Sequence, residues 1–130
     1  MTKKNGNDHP RVIETINKAI GLDASNQTDL SVELLTTLAT EFPDASAVHG
    51  YLGWFLSQSG RHEEAIEQCR QAVILAPNSE KASLVYFFAL WDAGMRTEAF
   101  DEMKRFVKIR PSEEYDKMIK EWESNSPEEN

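Results

Sequence analysis

His9, His49, His62 and Cys69 are the residues whose types could ligate a metal or carry out nucleophilic chemistry. Their spacing supports neither. No two of them stand at the intervals of a zinc site. His62-Glu63-Glu64-Ala65-Ile66 lacks the second histidine of a zinc-protease helix. Cys69 falls beside Ala65 and Ala72 on one helical face, where a small core residue is expected. The chain has no nucleophile elbow and no phosphate-cradling glycine loop. No enzyme is therefore expected, and no cofactor or metal is assigned. What the sequence does concentrate is binding chemistry: Tyr51-Leu52-Gly53-Trp54-Phe55-Leu56 and the eight-residue apolar run Leu84 to Trp91 are rich in rings. Trp and Tyr bury much area for few rotors, which makes them anchors for a protein partner.

These rings need elements to hold them. Pro10 suits the first turn of a helix, with Asp8 or His9 as its cap. Val12, Ile13, Ile16, Ala19 and Ile20 then recur at helical spacing, before a polar break from Gly21 to Thr28. Leu30, Leu34, Leu35, Leu38, Ala39 and Phe42 form a second helix that Pro43 stops. The pattern repeats. Pro43, Pro77 and Pro111 lie 34 residues apart, as do Gly60 and Gly94, and Ala65 and Ala99, with Ser31 in the same place of the first unit. Asp44, Asn78 and Ser112 follow the prolines and are good helix caps. After Pro111, Tyr115, Met118, Ile119 and Trp122 follow at i, i+3, i+4, i+7, an amphipathic helix with nothing after it to pair with.

The period of 34, the Leu52-Gly53 pair, Ala72 and the closing Pro77 resemble a tetratricopeptide repeat (TPR). The resemblance covers residues 12–45, 46–79 and 80–113. It implies an all-α fold, an α-solenoid of three helix pairs wound into a right-handed superhelix. A capping helix over 113–123 covers the last apolar edge. Residues 1–9 and 124–130 are polar and are expected to be disordered, leaving 10–123 as one domain. The units depart from the family in places. Lys18-Ala19 replaces Leu-Gly in the first, His49 and Leu56 hold the Trp and Tyr places of the second, and Phe87 holds the Gly place of the third. That phenylalanine must splay its two helices or repack them.

In this family the first helix of each pair lines a concave groove. The resemblance then implies a trough of Ile13, Ile16, Ile20, Tyr51, Trp54, Leu84, Phe88 and Trp91. The second helices carry polar stripes that face water, such as Glu63, Glu64, Glu67 and Arg70. One subclass grips the C-terminal carboxylate of heat-shock chaperones, but its five places hold Ile16, Ile20, Tyr51, Lys81 and Val85, and only Lys81 fits. The groove's character and size are similar to those of the small acidic TPR chaperones of bacterial secretion systems.

The function implied is an adaptor or chaperone-like interaction module holding an apolar peptide or helix. The trough could instead be filled by the C-terminal helix or by a second copy of the chain in a homodimer. A different reading is an acidic immunity or inhibitor protein binding a basic partner through its charged surface. In that reading the acidic first two units serve as the patch, and the basic cluster of Lys104, Arg105, Lys108 and Arg110 is an end contact or a solvated face. Lys plus Arg is 14 against 22 for Asp plus Glu, a net charge of −8. That disfavours nucleic acid and anionic membranes. A lone cysteine fits a reducing compartment. No apolar run approaches the ~20 residues of a membrane span, and the start shows no secretory signal. A cytoplasmic location is expected.

Overall fold

The computed structural model describes residues 6–125. Among them, seven α-helices follow a short 3-10 turn, Gly6–Asp8: α1 (Pro10–Ala24), α2 (Thr28–Glu41), α3 (Ser46–Gln58), α4 (His62–Leu75), α5 (Glu80–Asp92), α6 (Arg96–Ile109) and α7 (Glu113–Asn125). Helices α1 and α2, α3 and α4, and α5 and α6 pack as hairpins, and each hairpin stacks on the next. The architecture is an all-α solenoid of three helix pairs with a closing helix.

The hairpin turns repeat bond for bond. Asn26, Gly60 and Gly94 stand 34 apart and have left-handed backbones, φ 63°, 78° and 80°. The following N–H groups of Gln27, Arg61 and Met95 bond back to the carbonyls of Leu22, Leu56 and Leu90 at 2.8, 3.0 and 2.8 Å. These are Schellman closures, which satisfy carbonyls that the helix end leaves free. Asparagine tolerates this conformation better than other non-glycine residues. Asn26 thus supplies in the first unit what glycine supplies in the others. The polar break is correspondingly shorter than expected: Gly21 lies inside α1, which runs on to Ala24.

Helix starts are less regular. His9 caps α1 through its ring Nδ1, which accepts from the Arg11 N–H at 3.1 Å, and Pro10 opens the helix. Asp44 and Asn78 do not cap. The helices begin one residue later, with Ala45 and Ser79 at the cap positions. Ser79 caps α5 by accepting from Ala82 N–H at 3.2 Å, and the buried Ser112 receives the Tyr115 N–H in α7. Ala45 has no side-chain acceptor, and Asn7 replaces it from outside: its Oδ1 accepts from Ala47 N–H at 2.9 Å while its Nδ2 donates to Ser46 Oγ at 2.9 Å. Residues 6–9, expected to be disordered, are therefore ordered against α3 and α1. Residues 1–5 and 126–130 of the expected disordered ends lie outside the described residues, and α7 continues through Asn125.

Close approach of each hairpin is set by small residues. Gly53 faces α4 so closely that an added Cβ would lie 2.3 Å from Cys69 Sγ and 3.1 Å from the Ala65 carbonyl oxygen. Ser31 is fully buried and donates to the Ala19 carbonyl at 2.6 Å, so its hydroxyl is satisfied in an otherwise apolar contact. In the third hairpin Phe87 occupies the place of Gly53. Of the two expected consequences, repacking is the one observed: the ring sits in an aromatic cluster. Phe87 stacks on Trp91 (5.8 Å between centroids) and Trp122 (6.1 Å) and meets Phe100 and Tyr115 edge-on. Tyr115, fully buried, exchanges a hydrogen bond with Ser83 at 2.7 Å. Aromatic side chains, not close backbone approach, fasten α7 to the third hairpin.

Candidate peptide groove

Helices α3 and α5 lie side by side. Ser57 near the end of α3 donates to Asp92 at the end of α5 at 3.3 Å, so the two run in the same direction. Between them is a groove of about 470 Å³, lined along α3 by Ala47, Gly50, Tyr51 and Trp54 and along α5 by Ala82, Leu84, Val85 and Phe88. Its opening end is formed by Asn7, Ser46, Ser79 and Lys81. Small residues make the hollow. Gly50 leaves a floor whose nearest atoms to a hypothetical Cβ are Val85 Cγ2 at 3.8 Å and Ala72 Cβ at 3.9 Å. Rings make the walls. Trp54 is 40% exposed and Phe88 37%, whereas Phe55, Phe87 and Phe106 are buried.

Of the eight residues predicted for the trough, four line this groove: Tyr51, Trp54, Leu84 and Phe88. The other four lie elsewhere. Ile16 is buried in the core, and Ile13 and Ile20 are exposed on α1 outside the groove. Trp91 is claimed by the molecule's own packing: it stacks on Trp122 at 5.5 Å between centroids and carries the Arg96 guanidinium over its ring, 4.5 Å from the centroid. Among the described residues none of α7 lines the groove, so the C-terminal helix does not fill it. Sequence reasoning missed Asn7, Ala47 and Ala82, and it left Gly50, which shares the register of Ile16 and Leu84, out of the trough. Gly50 carried a signal, since a mid-helix glycine costs about 1 kcal/mol relative to alanine and calls for a packing reason.

The polar groups around the groove are mostly engaged. In the amide orientation that satisfies both neighbours, Gln58 accepts from the Trp54 indole N–H and donates to Asp23 at 3.1 Å. Asp23 also accepts from Thr28 at 2.7 Å. Trp54 is thus held at its polar edge and presents an apolar face. His49, in a place where the family has Trp, bridges the Gln68 side chain and the Pro43 carbonyl, both at 2.8 Å. Cys69 is buried, and loss of hydration pushes its thiol up to about 12, away from nucleophilic use. Among the described residues no three His, Cys, Asp or Glu gather as a metal site, and no helix is long and apolar enough to cross a membrane. On the other face, Glu64 and Glu67 are ion-paired with Arg61 and Arg70. Arg105 and Arg110 of the basic cluster donate to the Pro77 and Asn78 carbonyls at 3.0 and 3.3 Å.

Stacked helical hairpins with an open, ring-lined hollow between successive first helices define a protein-interaction scaffold. Residues 46–79 match the family model described as a tetratricopeptide repeat, and the chain has the fold of TPR proteins. A MamA point mutant superposes with a TM-score of 0.67 at 26% identity, over 81% of this chain and 77% of that one. A further MamA structure, of which the chain spans 60%, gives 0.65 at 27% identity over 84% of this chain. The Sgt2 TPR domain from Aspergillus fumigatus gives 0.70 at 16% identity, over 99% of this chain and 92% of that one. The second TPR of Spaghetti (RPAP3), bound to an HSP90 peptide, gives 0.67 at 17% identity, over 75% and 91%. No curated protein sequence matches.

Proposed function

We propose that this protein is an adaptor or chaperone-like module that holds an apolar segment of a partner protein in the groove between α3 and α5. The observation that carries the reading is the exposure of Trp54 and Phe88 on facing walls of one hollow, in a chain that buries its other large rings or packs them together. A contiguous exposed apolar surface of this kind marks a binding site, and about 470 Å³ is within the range of occupied pockets. The fold relative with a bound HSP90 peptide supports peptide binding as a use of this scaffold. The acidic tail of such a peptide is not carried over. Of the five clamp places only Lys81 is cationic, and a desolvated carboxylate without paired donors is costly. The alternative of an acidic docking surface is less favoured, because Glu64 and Glu67 already have partners within the chain.

The test is peptide display against the purified protein, followed by affinity measurement on variants. Apolar peptides are expected to be selected, and Trp54→Ala or Phe88→Ala is expected to weaken them about 30-fold, as ~2 kcal/mol per anchor implies. Gly50→Ile, which restores the residue type of Ile16 at the equivalent place, should block the groove. Binding that survives these changes but is lost on reversal of Glu63, Glu64 and Glu67 would move the site to the acidic face. A dimer by sedimentation that Trp54→Ala dissolves would seat a second copy in the groove and overturn the peptide reading.

A further inference from the structure

Two glycines lie in the interior of α3, and the fold explains only one of them. Gly53 meets α4 so closely that a side chain there would collide with Cys69 and with the α4 backbone. Gly50 is different. A Cβ built on it would come no nearer than 3.8 Å to Val85 Cγ2 and 3.9 Å to Ala72 Cβ, which is ordinary contact. Its backbone is helical. The fold would therefore accept alanine here, and alanine would strengthen the helix. Gly21 has open space too, but it is exposed on α1 and does not line the groove. Gly50 does.

The other units show what Gly50 leaves out. One period of 34 earlier the same place holds Ile16, and one period later it holds Leu84. Ile16 is buried in the core, and Leu84 packs against the core from the groove wall. Both are branched four-carbon aliphatic side chains. At Gly50 that side chain is missing, and the space stands open between Tyr51 and Trp54 of α3 and Leu84, Val85 and Phe88 of α5. The nearest atoms beneath it, on Val85 and Ala72, are methyl carbons. A polar side chain set there would lose its water and find no partner below, which is costly. An aliphatic one would gain from the same loss of water.

Resting on the groove reading above, we infer that Gly50 is a specificity-determining residue, whose missing side chain leaves a subsite for one Leu or Ile side chain of the partner segment. The partner supplies from outside what Ile16 and Leu84 supply within their own units. Glycine sets the size that is accepted, because each carbon added at residue 50 takes the place of a carbon of the partner.

The probe is a library of random linear peptides selected on the full chain. The selected peptides should share one position held by Leu or Ile. In the tightest of them, Val at that position should weaken binding about fourfold and Ala about 60-fold, as one and three buried carbons imply. Gly50→Ala should weaken the Leu peptide about fourfold and leave the Val and Ala peptides unchanged, which removes the preference for Leu over Val. It should also raise the melting temperature by about 4 °C, so the weaker binding cannot come from a damaged fold. Aromatic or polar residues at the shared position, or a Gly50→Ala variant that changes the Leu, Val and Ala peptides equally, would overturn the subsite. The groove reading would still stand if Trp54→Ala weakened those same peptides. A dimer in sedimentation that Gly50→Ala dissolves would give the subsite to a second copy and overturn the assignment to a partner. A library that yields no binder to the unaltered chain would overturn both readings.

Discussion

Replacing Gly53 by alanine tests whether one glycine sets the spacing of the central hairpin. The new Cβ would lie 2.3 Å from Cys69 Sγ, 3.1 Å from the Ala65 carbonyl oxygen and 3.2 Å from the Cys69 nitrogen. Two of these three atoms belong to the backbone of α4, so the helices must separate or the sulfur must move within a close-packed core. Overpacking of this kind costs up to about 3 kcal/mol, and the better helix propensity of alanine returns about 1 kcal/mol. The net loss is about 2 kcal/mol, equivalent to a fall in melting temperature of roughly 8 °C for a domain of this size. Cys69→Ala alone should cost about 1 kcal/mol, from a small cavity. In that background Gly53→Ala should be nearly neutral, because the shortest contact has gone and those at 3.1 and 3.2 Å require shifts of only a few tenths of an ångström. Urea denaturation followed at 222 nm gives the double-mutant cycle, with a coupling of at least 1 kcal/mol expected. Additivity within about 0.5 kcal/mol would show that the two residues are not in energetic contact and would refute the packing argument.

Gly60→Ala and Gly94→Ala should each destabilise the chain by about 1 kcal/mol, because both turns need a left-handed residue, while Asn26→Gly should stabilise it by several tenths; thermal melts of the three variants separate these effects. Asn7→Ala should cost about 1 kcal/mol and speed amide exchange at Ala47, since it removes the only side-chain cap seen on α3 among the described residues. Burial raises the Cys69 thiol from its ordinary value near 9 to about 12, and it also raises the Tyr115 hydroxyl. In each case the folded state holds the proton more tightly than the unfolded state. Stability is therefore intact below pH 9; it declines between pH 9 and 12 through Cys69, by up to about 1.4 kcal/mol per pH unit, and the Tyr115 contribution declines only from pH 10 upward. Cys69→Ala should flatten that decline in alkaline urea titrations.

The recurrence at 34 was legible because each hairpin solves the same local problem. A left-handed residue turns the chain, small side chains let the helices meet, and a proline ends the unit. The first turn was harder to read, because Asn26 performs the glycine's task with a different side chain. Helix starts slipped by one residue at Asp44 and Asn78, whose types suit a cap but whose positions lie in the preceding turn. Apolar periodicity showed that α5 had more greasy surface than its own partner could cover. It did not show which neighbour would take each face, and so Trp91 was assigned to the groove when α7 brings Trp122 against it.

Local patterning thus determined that this chain would be a stack of helical hairpins, and it placed Tyr51, Trp54, Leu84 and Phe88 on first helices that share an open face. Tertiary packing alone decided how far that face extends. It buried Ile16, left Ile13 and Ile20 exposed on α1, and packed Trp91 against Trp122 of the last helix. It also brought Asn7 across some 40 residues of chain to cap α3 and form one end of the groove. The division has a physical basis. Turns and helix faces depend on neighbours within a few residues, whereas a hollow is the space that remains after several distant elements have packed.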